Sequence, residues 1–181
     1  MNPKCIGMMW MCCIILFLFD ICAVASRLEF KNIKCTNLDR KFSEFEECYL
    51  KAQNRTYKYM SIKVILHQKP VTQFKVNFEL YKRSNGLQPI SYNTTLDGCK
   101  EFSSARNPVT TFFLGLFQTY SNINHSCPYN HDLILHKLPT NFVLQQFSTF
   151  LPFPPGDYVL SSNWIAYGIN RANVRVHATL I

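Results

Sequence analysis

Val71-Thr72-Gln73-Phe74-Lys75-Val76-Asn77-Phe78-Glu79-Leu80-Tyr81-Lys82 alternates apolar and polar residues without a break from Phe74 to Leu80. Successive side chains of an extended chain point to opposite faces, so Phe74, Val76, Phe78 and Leu80 share one face, while Lys75, Asn77, Glu79 and Tyr81 share the other. This is the pattern of a half-buried antiparallel strand. Ser84-Asn85-Gly86 supplies a turn, and Gln88 to Asp97 returns as a partner strand with Ile90, Tyr92 and Leu96 on the inner parity.

Further strands lie on both sides of this hairpin. Upstream, Leu28 to Thr36 alternates irregularly, Phe45 to Ala52 forms a second strand, and Tyr57 to Leu66 forms a third with Met60, Ile62, Val64 and Leu66 on one face, ended by Pro70. Downstream, Asp157 to Tyr167 and Asn173 to Ile181 are the last strands, and in the final one Val174, Val176, Ala178 and Leu180 alternate with polar residues. Between them Asn107-Pro108 signals a helix start, and Val109, Phe112, Phe113, Leu116, Phe117 and Tyr120 recur at helical spacing. Pro139, Pro152, Pro154 and Pro155 are expected to confine the stretch from Cys127 to Gly156 to short pieces of regular structure. About seven or eight short strands predict a mainly β, immunoglobulin-like two-sheet sandwich with one inserted helix.

The N-terminus bears on the compartment. Lys4 precedes an apolar run from Cys5 to Phe19, and Ala23-Val24-Ala25 has the small residues of a cleavage site, so residues 1–25 read as a signal peptide and 26–181 as one domain. The competing reading is an uncleaved signal anchor, since Cys5 to Ala25 is just long enough to span a bilayer. Cys35, Cys48, Cys99 and Cys127 would then lie in an oxidising compartment. Four cysteines allow three pairings; the sequence-local one, Cys35 with Cys48 and Cys99 with Cys127, is favoured. Sequons at Asn54, Asn93 and Asn124 fall in turns, in loops or on outward strand parity, where glycans fit.

The formal net charge is +8, and the basic residues are dispersed along the chain. Dispersed charge on a secreted domain argues against nucleic acid and leaves anionic lipid head groups or an acidic receptor face as partners for the basic surface. His125, Ser126, His131, Asp132 and His136 form the best catalytic or metal-binding constellation in the chain, but no GxSxG elbow, HExxH helix or close carboxylate pair accompanies them. They read as loop residues, and neither an enzyme, a metal nor a cofactor is expected.

Five motifs carry a family resemblance: Phe30-Lys31-Asn32-Ile33-Lys34-Cys35; Asn54-Arg55-Thr56; Asn124-His125-Ser126-Cys127-Pro128-Tyr129-Asn130-His131-Asp132; Leu138-Pro139; and Pro152-Phe153-Pro154-Pro155-Gly156-Asp157-Tyr158. With them the chain from residue 26 resembles a large insect family of secreted ML-like proteins, related to the Che proteins linked to gustatory pheromone sensing. Cys127-Pro128, Leu138-Pro139, Leu151-Pro152 and Gly156-Asp157-Tyr158 extend the likeness to the ML lipid-recognition superfamily, which includes the ganglioside activator and the sterol carrier of Niemann-Pick type C disease. The resemblance implies a sandwich opened to hold an apolar ligand between its sheets, and a carrier or presenter of lipids instead of a catalyst. ML proteins often tie their first and last strands by a disulfide; here no cysteine follows Cys127, so strand pairing and packing must hold the ends.

The expected function is therefore a secreted carrier or presenter of a lipid, sterol or pheromone-like molecule, in one setting chemosensory and acting with a membrane receptor. The expected ligand-binding residues are Phe74, Val76 and Phe78 from the clearest strand, Phe112, Phe113, Leu116 and Phe117 from the helix, and Tyr158, Leu160 and Trp164 from a late strand. The alternative is an extracellular adaptor that binds a receptor or other protein without a lipid. In a closed sandwich the same side chains would fill a core about 10 Å thick; in an opened one they would wall a pocket of several hundred Å³, on the order of usual ligand sites.

Overall fold

The structure is a computed structural model that describes residues 28–55, 57–84, 86–102, 108–150 and 154–181. The leader and its cleavage site, Asn107 at the helix start and the Leu151-Pro152 motif lie outside the described residues.

Strand β4 (Phe74–Ser84) buries Phe74, Val76, Phe78 and Leu80 and leaves the residues between them more open, as the alternation demands. It is an interior strand with both of its edges paired: β5 (Gly86–Asp97) on one side and β7 (Gly156–Ala166) on the other. Strands β8 (Ile169–Leu180) and β1 (Leu28–Asn37) complete an antiparallel sheet in the order β1-β8-β7-β4-β5. The irregularity expected in the first strand is a register shift between Phe30 and Asn32. The β7–β8 hairpin turns at Tyr167-Gly168, both with positive φ (53° and 77°), the backbone that matches the twist of a tight two-residue hairpin. A second antiparallel sheet holds β2 (Ser43–Ala52), β3 (Lys58–Leu66) and β6 (Leu133–Pro139) in the order β2-β3-β6.

The termini meet without a covalent tie. Strand β1 pairs with β8 from Leu28 opposite Leu180 to Asn37 opposite Ala172, so a ladder along the whole of β1 locks the last strand. The disulfide that begins in β1 goes elsewhere: Cys35 joins Cys48 of β2 and ties the two sheets along one side. Cys99 joins Cys127, anchoring the 121–132 loop beside β4 and β5. Both bonds are the sequence-local pairing.

The expectation of one inserted helix is corrected. The described residues contain three: α1 (Gly98–Glu101), α2 (Pro108–Phe117), which continues into a 3-10 turn at Gln118–Tyr120, and α3 (Thr140–Phe150). Helix α1 is a single turn, N-capped by the Asp97 carboxylate, which accepts the amides of Cys99 and Lys100. Helix α3 and strand β6 occupy the stretch that the prolines were expected to break up. Pro139 ends β6 instead of interrupting it, and the residues after it, Thr140 to Phe150, contain no proline. Helix α3 packs against β1, β3 and β6, and the Thr140 hydroxyl donates to the Lys58 carbonyl at 3.2 Å, so the helix covers one end of the sandwich.

Candidate ligand-binding cavity

A cavity of about 900 Å³ lies between the sheets. It arises from mismatched side chains on the inner faces. Strand β8 contributes Ala172, Val174, Val176 and Ala178, and β7 contributes Ser162, all too short to reach across the roughly 10 Å between packed sheets. Opposite them β3 presents Met60, Ile62, Val64 and Leu66, and β6 presents Leu133, Leu135 and Leu138. A filled core at native density would need these layers to interdigitate.

Of the residues expected from sequence, Phe74, Phe78, Phe113, Leu116, Phe117, Tyr158, Leu160 and Trp164 stand in the cavity wall. Val76 and Phe112 are buried but lie outside it. The wall is organised by rings. Phe78 and Phe113 stack with centroids 4.1 Å apart, joining β4 to α2. Phe74 stacks on Trp164 at 6.3 Å and meets Tyr129 and Phe102 edge-on at 5.4 and 5.7 Å. Gly98 makes room for this cluster: a Cβ there would sit 2.1 Å from the Phe74 ring.

The 121–132 loop, singled out by its motif, closes part of the cavity with Ile123 and Tyr129. Tyr129 bridges to Val71 through paired backbone bonds of 2.8 and 2.9 Å and donates its hydroxyl to the His125 carbonyl. Burial pushes its phenol up to about 12, so it stays protonated. Of the polar constellation, His125 Nε2 and His131 Nε2 lie 2.9 Å apart, and the His125 ring stacks on Tyr129 at 4.3 Å. Asn122 fixes the loop: its Oδ1 accepts the Ile134 amide at 2.8 Å, and its Nδ2 donates to the Asp132 carbonyl at 2.7 Å. The Asp132 carboxylate is held below the usual range by Lys69 at 2.7 Å and also accepts the Leu66 amide. These contacts are those of a folded loop; Ser126 is exposed and meets it through its carbonyl, 2.6 Å from His125 Nδ1, and His136 is exposed on β6. Among the described residues no group of three or more His, Cys, Asp or Glu could hold a metal ion.

Polar groups enter the cavity wall at few places. Arg171, with its side chain 12% exposed, pairs with Asp39 through Nη1, donates from Nε to the Ala166 carbonyl at 3.3 Å and lies over the Phe42 ring at 4.4 Å. That hydrogen bond from Arg171 is the main reason the Asp39 carboxyl is held below its ordinary range. Buried Ser43 lines the same end. Ser162 accepts the Trp164 indole N–H at 3.1 Å and donates to the Val174 carbonyl.

Sequence reasoning left out the wall contributed by β1, β3, β6, β8 and α3. The inner parities of β3 and β8 were legible and only their assignment to a cavity was missing. Arg171 had no signal, because an arginine just after a hairpin reads as solvated surface. Each sequon asparagine is exposed: Asn54 in a turn whose Oδ1 accepts the Tyr57 amide, Asn93 on the outer face of β5 and Asn124 at the loop tip; Thr56 of the first sequon lies outside the described residues.

The two disulfides fit an oxidising compartment, and among the described residues no helix is long and apolar enough to cross a membrane. No curated protein matches the chain. One family model, described as a protein of unknown function (DUF1091), matches residues 76–160, the stretch that runs from β4 through both longer helices into β7, and this is the family to which the chain is similar.

Proposed function

We propose that the protein is a secreted carrier or presenter of a small hydrophobic molecule, built on an ML-like sandwich. The observation that carries this reading is the cavity of about 900 Å³ between the sheets, walled almost wholly by apolar side chains of both. An empty apolar space of that size is costly in a protein interior, because its lining loses dispersion contacts on one side. A bound apolar ligand restores them. The volume falls in the range of small-molecule sites, about 300–1,000 Å³. A solidly packed adaptor would have no such void, so the carrier reading is preferred over it. The motif resemblance to insect ML-like proteins supports the same conclusion and suggests a chemosensory setting with a membrane receptor as the recipient of the ligand.

Mass spectrometry of protein purified from the medium of insect cells, run both native and after organic extraction, tests the proposal. Co-purifying lipid, or saturable uptake of a fluorescent apolar probe, is the expected result. Protein that carries no lipid and takes up no probe would replace the carrier with the adaptor.

A further inference from the structure

Resting on that carrier reading, we infer that the cavity is shaped for one extended, uncharged hydrocarbon chain with a single oxygen-bearing group at one end, such as a long-chain alcohol, aldehyde or methyl ester, and that this group sits beside Arg171.

The shape comes from the strands. The wall follows β8 from Arg171 to Leu180, a run of about 30 Å at about 3.3 Å per residue. Spread over that length, about 900 Å³ gives a mean section of about 30 Å², a channel about 6 Å wide. An all-trans chain built from C–C bonds of about 1.5 Å advances about 1.25 Å per carbon, so the channel matches about 20 to 24 carbons. In a channel of that section a compact fused-ring ligand would leave much of the length empty.

The two ends of the channel differ. At the Leu180 end the wall includes Leu28, Tyr158 and Leu180, and α3, packed across the neighbouring strands, adds Val143, Leu144 and the uncharged Gln145, while the Tyr158 hydroxyl is turned to the Pro154 carbonyl. At the other end Arg171 stands with Ser43 and Phe42. A guanidinium has five N–H donors, and Asp39 and the Ala166 carbonyl each take one. Donors therefore remain for a ligand oxygen. The charge, however, is already balanced. Asp39 is ionised and paired to Arg171, so a ligand carboxylate at the guanidinium would meet a second anion beside it. A carbonyl or hydroxyl oxygen accepts the same donors with no such repulsion.

Trp164 reports on orientation. It lines the cavity opposite Ala172 in the β7–β8 ladder, next to Arg171, and is the only tryptophan in residues 26–181. Chains brominated beside the oxygen should quench its fluorescence, and chains brominated at the far methyl should not. In competition with a fluorescent chain probe, the alcohol and the methyl ester should bind about tenfold more tightly than the carboxylate of the same length, a modest share of the repulsion expected between two anions a few ångströms apart. Asp39→Asn frees the Arg171 charge and should reverse that order, an outcome that a merely weakened fold would not produce. Quenching only from the methyl end, or a wild-type preference for the carboxylate, overturns the placement of the oxygen at Arg171. A rigid sterol that competes as well as the chains overturns the single-chain shape while leaving a carrier. Failure of every apolar probe to bind overturns the carrier reading itself.

Discussion

Replacing Phe113 by Ala separates a cavity wall from a filled core within one protein. Phe113 is 3% exposed, stacks on Phe78 and meets Phe112 edge-on at 5.3 Å, while its remaining surface fronts the cavity. The substitution forfeits burial of a large apolar side chain, about 1.5 to 3 kcal/mol, part of which the open side already forgoes, and a stacked pair worth about 1 kcal/mol. It adds little for a new void, because the void exists. We expect a loss of about 2 to 3 kcal/mol. The comparison is Phe102→Ala: Phe102 is also 3% exposed but lies outside the cavity, packed edge-on against Phe74 and Phe117. There the full penalty for opening a packed core applies, about 3 to 5 kcal/mol. Urea unfolding followed by Trp164 fluorescence and circular dichroism gives both values. Phe113→Ala should also be secreted and should take up an apolar probe less tightly. Equal destabilisation by the two substitutions would mean that Phe113 sits in a filled core, and the reasoning from the cavity would fail.

Other outcomes follow from single contacts. Gly98→Ala should cost about 1 to 3 kcal/mol, since the added methyl must displace the Phe74 ring that it would approach to 2.1 Å; an unchanged urea midpoint would show that the ring moves freely. His177 is held below its ordinary 6.5, first by burial and then by Arg83, Arg175 and Lys34. The unfolded chain therefore binds the proton more readily than the folded one, and stability should fall as pH drops below about 6.5, a loss that His177→Gln should blunt. Stability should fall again below about pH 4.5 as Glu29, held at about 2 by Lys31 and Lys58, Asp39, held down by Arg171, and Asp132, held down by Lys69, take up protons. A flat acid limb would remove those pairings from the account of stability. If Asn93 carries a glycan, enzymatic removal should lower the mass and leave the circular dichroism spectrum intact; unfolding on removal would contradict an outer-face position.

What the sequence determined by itself is the set of faces. The period-2 pattern from Phe74 to Leu80 dictated a strand buried on one side, and the same pattern in β3 and β8 gave their inner parities, because in a strand the direction of each side chain follows from its position alone. The helical stripe of α2 was legible for the corresponding reason. The second long helix, α3, was hidden by the density of prolines around it, although none falls inside it. The tertiary structure decided everything that depends on which faces meet. Only the pairing of β8 between β1 and β7 puts Ala172, Val174 and Ala178 opposite the β3 and β6 side chains, and only that opposition leaves the sandwich unfilled. The same pairing brings Arg171 to Asp39, 132 residues earlier in the chain, and makes a charged residue part of an apolar wall. Local periodicity fixes the direction of a side chain but carries no record of the distance to its partner across the core, and the cavity is made of that distance.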